Sequence, residues 1–374
     1  MKVLVLLPYI YDTSPGARFR IEQWARYMER EGVEFDFASF EDGALHRAIY
    51  QQGRYLEKVA RMSLGFGRRL MSLSRVRKYD LVFLHREASI IGPAVLERLL
   101  ARLGVPVVFD FDDAIWTPYV SPVNRHLSYL KFFGKTPVIC RLSTHITVGN
   151  EYLAEFARRY NPNVSVVPTT IDTETYLPSP LEGDDRPPTI GWTGSHSTVQ
   201  HLDTLRGALA KLRGRQPYRL QVVGTPAYAL DGVEVDARPW RAESEVQDLR
   251  GIDVGVMPLP DDDYAKGKCG LKMLQYMALG IPPVASPVGV NSEIVEDGVD
   301  GFLAANEGDW VEKLAALLSD PELRTRIGRA GRETVERRYS AEVWAPRVHE
   351  LFKAVASGRR RDEPAAPTVT TTRP

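Results

Sequence analysis

Cysteine is nearly absent: Cys140 and Cys269 are the only two in 374 residues. They form no zinc spacing and no disulfide framework, so a reducing compartment is expected. Net charge is absent as well, with 48 Lys+Arg against 48 Asp+Glu giving +0. That balance argues against wrapping nucleic acid, and no nucleic-acid partner is expected. Long apolar runs are also missing. No uninterrupted stretch approaches the ~20 residues needed to span a bilayer. The first apolar stretch, Val3 to Leu7, stops at Pro8 and is too short for a signal-peptide core. The expectation is a cytoplasmic protein able to touch the inner face of the membrane. The loop after that stretch holds only Gly16, not G-x-G-x-x-G, which weighs against a nicotinamide-dependent dehydrogenase. No metal site is expected.

What is present is a hydrophobic fraction of 44%, enough for large cores, on a chain long enough for two or three domains. Short Val- and Leu-rich runs read as buried strands: Val3 to Leu7, Val33 to Ala38, Leu81 to Leu84, Val105 to Phe109, His145 to Val148 and Val164 to Val167. Helical patterns separate several of them, notably Ile21 to Met28 and Ala94 to Leu103. An acidic, Pro-rich stretch, Leu181 to Pro188, reads as a linker. The alternation then restarts with strands Thr189 to Trp192, Arg219 to Val223, Val254 to Met257 and Pro283 to Ala285. Helices are expected at His201 to Leu212, Glu243 to Leu249, Leu271 to Leu279, Trp310 to Ser319 and Pro321 to Arg338. The class is α/β, with two Rossmann-like doubly wound domains facing a cleft. Their expected bounds are 1–180 and 187–338. A helix within 339–356 crosses back to the first domain, and 357–374 is a polar, disordered tail.

In such sheets ligands bind beyond the carboxyl ends of strands. Two junctions there suit phosphate. In Trp192-Thr193-Gly194-Ser195-His196-Ser197, Gly194 allows a tight turn and Ser195 or Ser197 can cap the following helix, whose N-terminus favours an anion. The second junction is Lys266-Gly267-Lys268-Cys269-Gly270-Leu271-Lys272. Three lysines at a helix start oppose the helix dipole unless an anion offsets them. A diphosphate meets that requirement; a solvated lysine cluster is the competing reading.

From Lys268 to Gly289 the chain resembles glycosyltransferase family four. The resemblance is most specific in Gln275-Tyr276-Met277-Ala278-Leu279-Gly280-Ile281-Pro282-Pro283-Val284-Ala285-Ser286 and in Pro287 to Val295, then Asp297-Gly298 and Gly301-Phe302-Leu303. It implies a GT-B fold, a nucleoside diphosphate sugar as co-substrate on the C-terminal domain, no separate cofactor, and transfer to a hydroxyl acceptor with retention. The acceptor would be a glycan, a lipid-linked molecule or a small molecule. On that reading Lys268, Lys272 and Arg18 hold the departing diphosphate. Gly16, Gly194, Ser195, His196, Gly267, Gly270, Leu271 and Gln275 line the donor site. The chain departs from the family at two usual glutamates, which fall on Gly267 and Gln275. Gln275 can still hydrogen-bond a ribose. A silent nucleotide-sugar-binding or scaffolding partner is therefore the alternative.

In the first half, Pro15-Gly16-Ala17-Arg18-Phe19-Arg20 brings two arginines to a helix start, where they could hold an anion. Asp112 and Asp113, in Phe109 to Asp113, and Arg86, in His85-Arg86-Glu87, are acceptor-side candidates. Clustered carboxylates can also bind Mg²⁺ or organise a loop. Asn150 reads mainly as a helix cap. The segment from Arg47 to Lys78 is basic with interleaved apolar residues. It reads either as a core-facing helix with a solvated basic face or as a membrane contact.

Overall fold

In the computed structural model, residues 1–49, 51, 53–118, 130–178, 186–195 and 198–358 are described. Two six-stranded sheets form, each with every pairing parallel. The first contains β1 (Lys2–Leu7), β2 (Glu34–Ser39), β3 (Leu81–His85), β4 (Val107–Phe111), β5 (His145–Val148) and β6 (Val164–Val166), in the order β2-β1-β3-β4-β5-β6. The second contains β7 (Thr189–Thr193), β8 (Arg219–Val223), β9 (Glu234–Arg238), β10 (Val254–Met257), β11 (Pro283–Ala285) and β12 (Phe302–Leu303), in the order β12-β11-β10-β7-β8-β9. The strand order reverses between β1 and β3 in one sheet and between β7 and β10 in the other. Those reversals open a crevice at the carboxyl ends of the strands, and the loops found there are the ones singled out from the sequence.

β1, β3 and β4 are buried along their length apart from Lys2. Burial on both faces explains why they read as continuous apolar runs rather than alternations. The expected strand at Val105 to Phe109 lies two residues later. Its ladder begins after Pro106, which has no N–H to donate. The shift brings Asp110 inside the sheet. The expected helix His201 to Leu212 is two helices, Val199–Asp203 and Arg206–Arg213. β9 escaped the sequence reading because it is an edge strand of alternating charge. β12 is only two residues long.

The last helix, Ala341–Ala356, crosses back to the first domain. Val348 and Phe352 pack with Val5, Trp24 and Phe83, and the Phe83 and Phe352 rings stand 5.7 Å apart. Backbone bonds Ile171 N to Tyr339 O and Ala341 N to Ile171 O, both 2.9 Å, fix the crossing point. The expected linker at Leu181 to Pro188 falls largely outside the described residues, as does the tail from residue 359.

Candidate active site between the two sheets

The loops after β1, β4 and β5 meet the loop after β10. Lys268 Nζ donates to the Asp113 carboxylate at 3.0 and 3.1 Å. Cys269 Sγ lies 3.2 Å from Asp112 O. Asn150 caps the helix Glu151–Arg158 through Leu153 N, as expected. Its amide also donates across the seam to Lys266 O and Lys268 O, both at 3.1 Å. Two glycines permit this approach. A Cβ on Gly149 would stand 2.2 Å from Cys269 Sγ, and one on Gly267 would stand 2.8 Å from Ala114 Cβ. Gly267 therefore packs against the facing domain. Gly149→Ala is expected to part the seam while leaving each domain folded. The buried Cys269 thiol should then react with an aromatic disulfide reagent at least tenfold faster; an unchanged rate would exclude this role.

On the first-domain side Arg86 sits in the left-handed backbone region at φ 58, a strained setting for a non-glycine residue. It donates to Asp112 from Nε at 3.1 Å and Nη2 at 2.7 Å. Burial pushes the Asp112 carboxyl up, but Arg86, His85 and Arg20 outweigh it and hold the group well below the usual carboxylate range. Asp112 and Asp113 thus face cations of the protein, one on each side of the seam. Gly16 lies directly over this group. A Cβ there would come within 2.8 Å of Asp112 Oδ2 and 3.0 Å of His85 Nε2.

The two arginines of the first loop separate. Backbone angles at Phe19 and Arg20 are non-helical, and this kink turns Arg20 inward. Arg20 is fully buried and bonds Asp110 Oδ1 at 2.5 Å and Oδ2 at 2.9 Å, and Val167 O at 2.6 Å. The expectation that both arginines meet an anion is corrected: Arg20 is part of the first domain's interior. Arg18 crosses the seam instead, reaching Glu245 Oε2 at 2.8 Å while its Nε bonds Asp12.

Glu245 was not legible as a site residue. It accepts from Arg18, Tyr176 Oη (2.9 Å), Trp240 Nε1 (2.9 Å) and Gln275 Nε2 (3.1 Å). Gln275 is itself buried and bonds Tyr176 Oη at 3.2 Å. Its amide donor is thus spent on holding this network.

Lys272 is different. It opens the helix Leu271–Ala278, which has Gly270 at its N-cap and no side chain capping it. Gly270 is required there: φ is +71, and a Cβ would meet Ile294 Cδ1 at 2.2 Å. Leu271 is partly buried and packs on the core behind the helix. Lys272 Nζ lies 4.9 Å from the centre of the Trp192 ring, a cation–π contact, and forms no ion pair among the described residues. Burial, with Lys268 adding repulsion, pushes its amine down to about 7. His201 is lowered by burial and by the same two lysines. Nε2 of His201 and Nε1 of Trp192 have no hydrogen-bond partner among the described residues. Gly194 closes the other wall: a Cβ on it would strike the Trp192 ring at 2.4 Å. Thr198 precedes the Val199–Asp203 helix at its N-cap, and its hydroxyl accepts from Ser195 N at 3.1 Å, so Ser195 is not the cap. His196 and Ser197 lie outside the described residues.

Paired parallel sheets with a crevice between them, and a cation-lined junction after β10, make up a two-domain GT-B fold. The family comparison agrees domain by domain. Residues 16–175 match the model for Glycosyltransferase Family 4, and 187–320 match the model for Glycosyl transferases group 1. The chain belongs to these glycosyltransferases. It is 27% identical over 282 residues to a D-inositol 3-phosphate glycosyltransferase of Stackebrandtia nassauensis, covering 64% of this chain and 61% of that one. It is 24% identical to the sulfoquinovosyl transferase SQD2 of Arabidopsis thaliana, covering 92% and 74%. The chain thus spans about three fifths of the first relative's length. Among solved structures, sucrose-phosphate synthase from Thermosynechococcus elongatus superposes with a TM-score of 0.68 at 15% identity, covering 96% of this chain and 99% of that one. Anabaena HepE, solved with UDP and glucose, gives 0.66 at 16% identity, covering 95% and 100%.

Proposed function

We propose that this chain transfers a sugar from a nucleoside diphosphate sugar to a hydroxyl acceptor, with retention, and that the donor diphosphate sits against Lys272. One observation carries the reading: among the cations named from the sequence, Lys272 has no carboxylate partner among the described residues, whereas Arg18, Arg86 and Lys268 each have one. A partly buried amine beside an uncapped helix N-terminus is a site awaiting an anion. The likeness to HepE, whose structure holds UDP and glucose, supports a nucleotide sugar as the donor class. Charge that builds on the leaving diphosphate would be met by Lys272 and the backbone N–H groups after Gly270, with Lys268 released from Asp113 as a further donor. Glu245, held by Gln275 and Tyr176, supplies a carboxylate beside the position where the family's ribose-binding glutamate is replaced.

The lowered Lys272 amine gives a direct test. At pH 8 the ligand-free amine is largely neutral, and a diphosphate favours its charged form, so binding takes up a proton. Calorimetric titration of UDP and other nucleoside diphosphates at pH 8 should give heats that differ between buffers of high and low ionisation enthalpy. Affinity should weaken as pH rises above about 7. Lys272→Met should lose the buffer dependence. Identical heats in both buffers for the wild-type chain would contradict the placement. The linkage has the opposite sign for the free protein. Between about 7 and the ordinary 10.5 the unfolded chain holds a proton that the folded chain has lost, so stability rises with pH across that window.

A further inference from the structure

The helix Tyr55–Ser74 departs from one form of the sequence reading, the core-facing helix with a solvated basic face. Its charged residues at the centre face inward. Arg69 is buried and donates to Ala88 O, Ala38 O and Leu7 O at 2.8, 2.8 and 2.7 Å. Arg68 bonds Asp42 and Phe40 O, both at 2.8 Å. Phe66 and Leu73 pack inward beside them, yet the face that meets solvent is apolar too. Leu56 is 89% exposed, and Val59, Leu64, Leu70 and Met71 are also exposed. These residues recur at helical spacing along one stripe of about 22 Å, and no charged residue stands on that stripe. Val95, on the adjoining helix Val95–Arg102, is exposed too.

The rims of this face are basic. Apart from the inward-facing Arg68 and Arg69, the stretch from Arg54 to Lys78 carries six Lys or Arg and one acid, Glu57, which pairs with Arg54 at 3.3 Å. Arg75, Arg77 and Lys78 are exposed just past the helix end. An apolar stripe with a one-sign basic border complements an anionic bilayer surface, into which the apolar side chains insert while the cations meet headgroups. Arg69 also fixes where the helix stands: its three carbonyl partners lie at or just beyond the carboxyl ends of β1, β2 and β3. The helix therefore covers the acceptor-side rim of the crevice.

We propose that the chain docks on an anionic lipid surface through the outer face of Tyr55–Ser74, bringing the first-domain side of the crevice to the bilayer. The link to a lipid-borne acceptor rests on the transferase reading, but the docking does not. It is therefore measured without donor or turnover, by co-sedimentation of the full chain with vesicles of phosphatidylglycerol and phosphatidylcholine, and by sedimentation velocity without lipid. The wild-type chain should bind the mixed vesicles, release in high salt and bind pure phosphatidylcholine at least tenfold more weakly. Leu64→Glu/Leu70→Glu and Arg77→Gln/Lys78→Gln should each weaken binding about tenfold or more. All four side chains are on the surface, and unchanged circular dichroism verifies the fold. The proposal is overturned if the wild-type chain ignores anionic vesicles or if Leu64→Glu/Leu70→Glu binds as well as wild type. It is likewise overturned if the face instead holds a dimer that this variant dissociates.

Discussion

Lys272→Met is expected to lower kcat/KM for donor turnover by at least about 100-fold, the cost of removing one preorganised donor from a developing anion. The reason is placement. Lys266 pairs with Asp261 at 3.2 Å on the surface, and Lys268 pairs with Asp113 at 3.0 Å across the seam. Of the three lysines at this junction, Lys272 alone has no carboxylate partner among the described residues, its amine lying over the Trp192 ring. Its attraction for phosphate should be stronger in the transition state, where charge on the diphosphate grows. For that reason kcat should fall along with kcat/KM. Release of nucleoside diphosphate from labelled donors measures both. A variant within about threefold of wild type would remove Lys272 from the mechanism.

The second large effect is on stability. Asp110→Ala should destabilise the first domain by about 3–5 kcal/mol, the usual cost of leaving a buried charge without its partner. Arg20 and Asp110 are both fully buried. Asp110 also accepts from Thr147 Oγ1 at 2.6 Å and contacts His85 Nδ1 at 3.0 Å. Burial pushes its carboxyl up, yet Arg20 and His85 win and hold it below the ordinary value. Arg20→Met/Asp110→Leu should recover much of the loss, because the pair is then replaced by apolar volume. Hydrogen exchange of the β1 and β4 amides reads the domain directly. Protection should drop by two orders of magnitude or more in Asp110→Ala, at about tenfold per 1.4 kcal/mol. A fall of less than about fivefold would show that the cluster does not hold the domain.

Much of this architecture was open to reading in the chain itself. Buried parallel strands announce themselves as Val- and Leu-rich runs, and the two strand-order reversals then put the Gly194 and Lys272 junctions in the crevice. What stayed hidden depended on direction and on distance along the chain. Arg18 and Arg20 look equivalent in sequence; a backbone kink at Phe19 and Arg20 sends one across the seam and the other into the core. Glu245 belongs to a network whose members, Arg18, Tyr176, Trp240 and Gln275, come from both domains and are separated by up to 257 positions along the chain. Only the folded seam brings them together. Gly149 carried no motif, and its need appears only when Cys269 is packed on it. The Tyr55–Ser74 helix shows how a correct period can mislead. Its interleaved apolar residues were visible, and apolar faces are ordinarily buried, but here they divide: Met62, Phe66 and Leu73 pack inward beside Arg69, and Leu56, Val59, Leu64 and Leu70 stay exposed.

The most direct test of the account is release of nucleoside diphosphate by the wild-type chain from a panel of nucleoside diphosphate sugars, with and without candidate hydroxyl acceptors. The account predicts that at least one donor is turned over, that acceptor accelerates it, and that Lys272→Met abolishes most of it. A folded chain that binds a nucleoside diphosphate but turns over no donor under any acceptor would contradict transfer and leave a binding partner in its place.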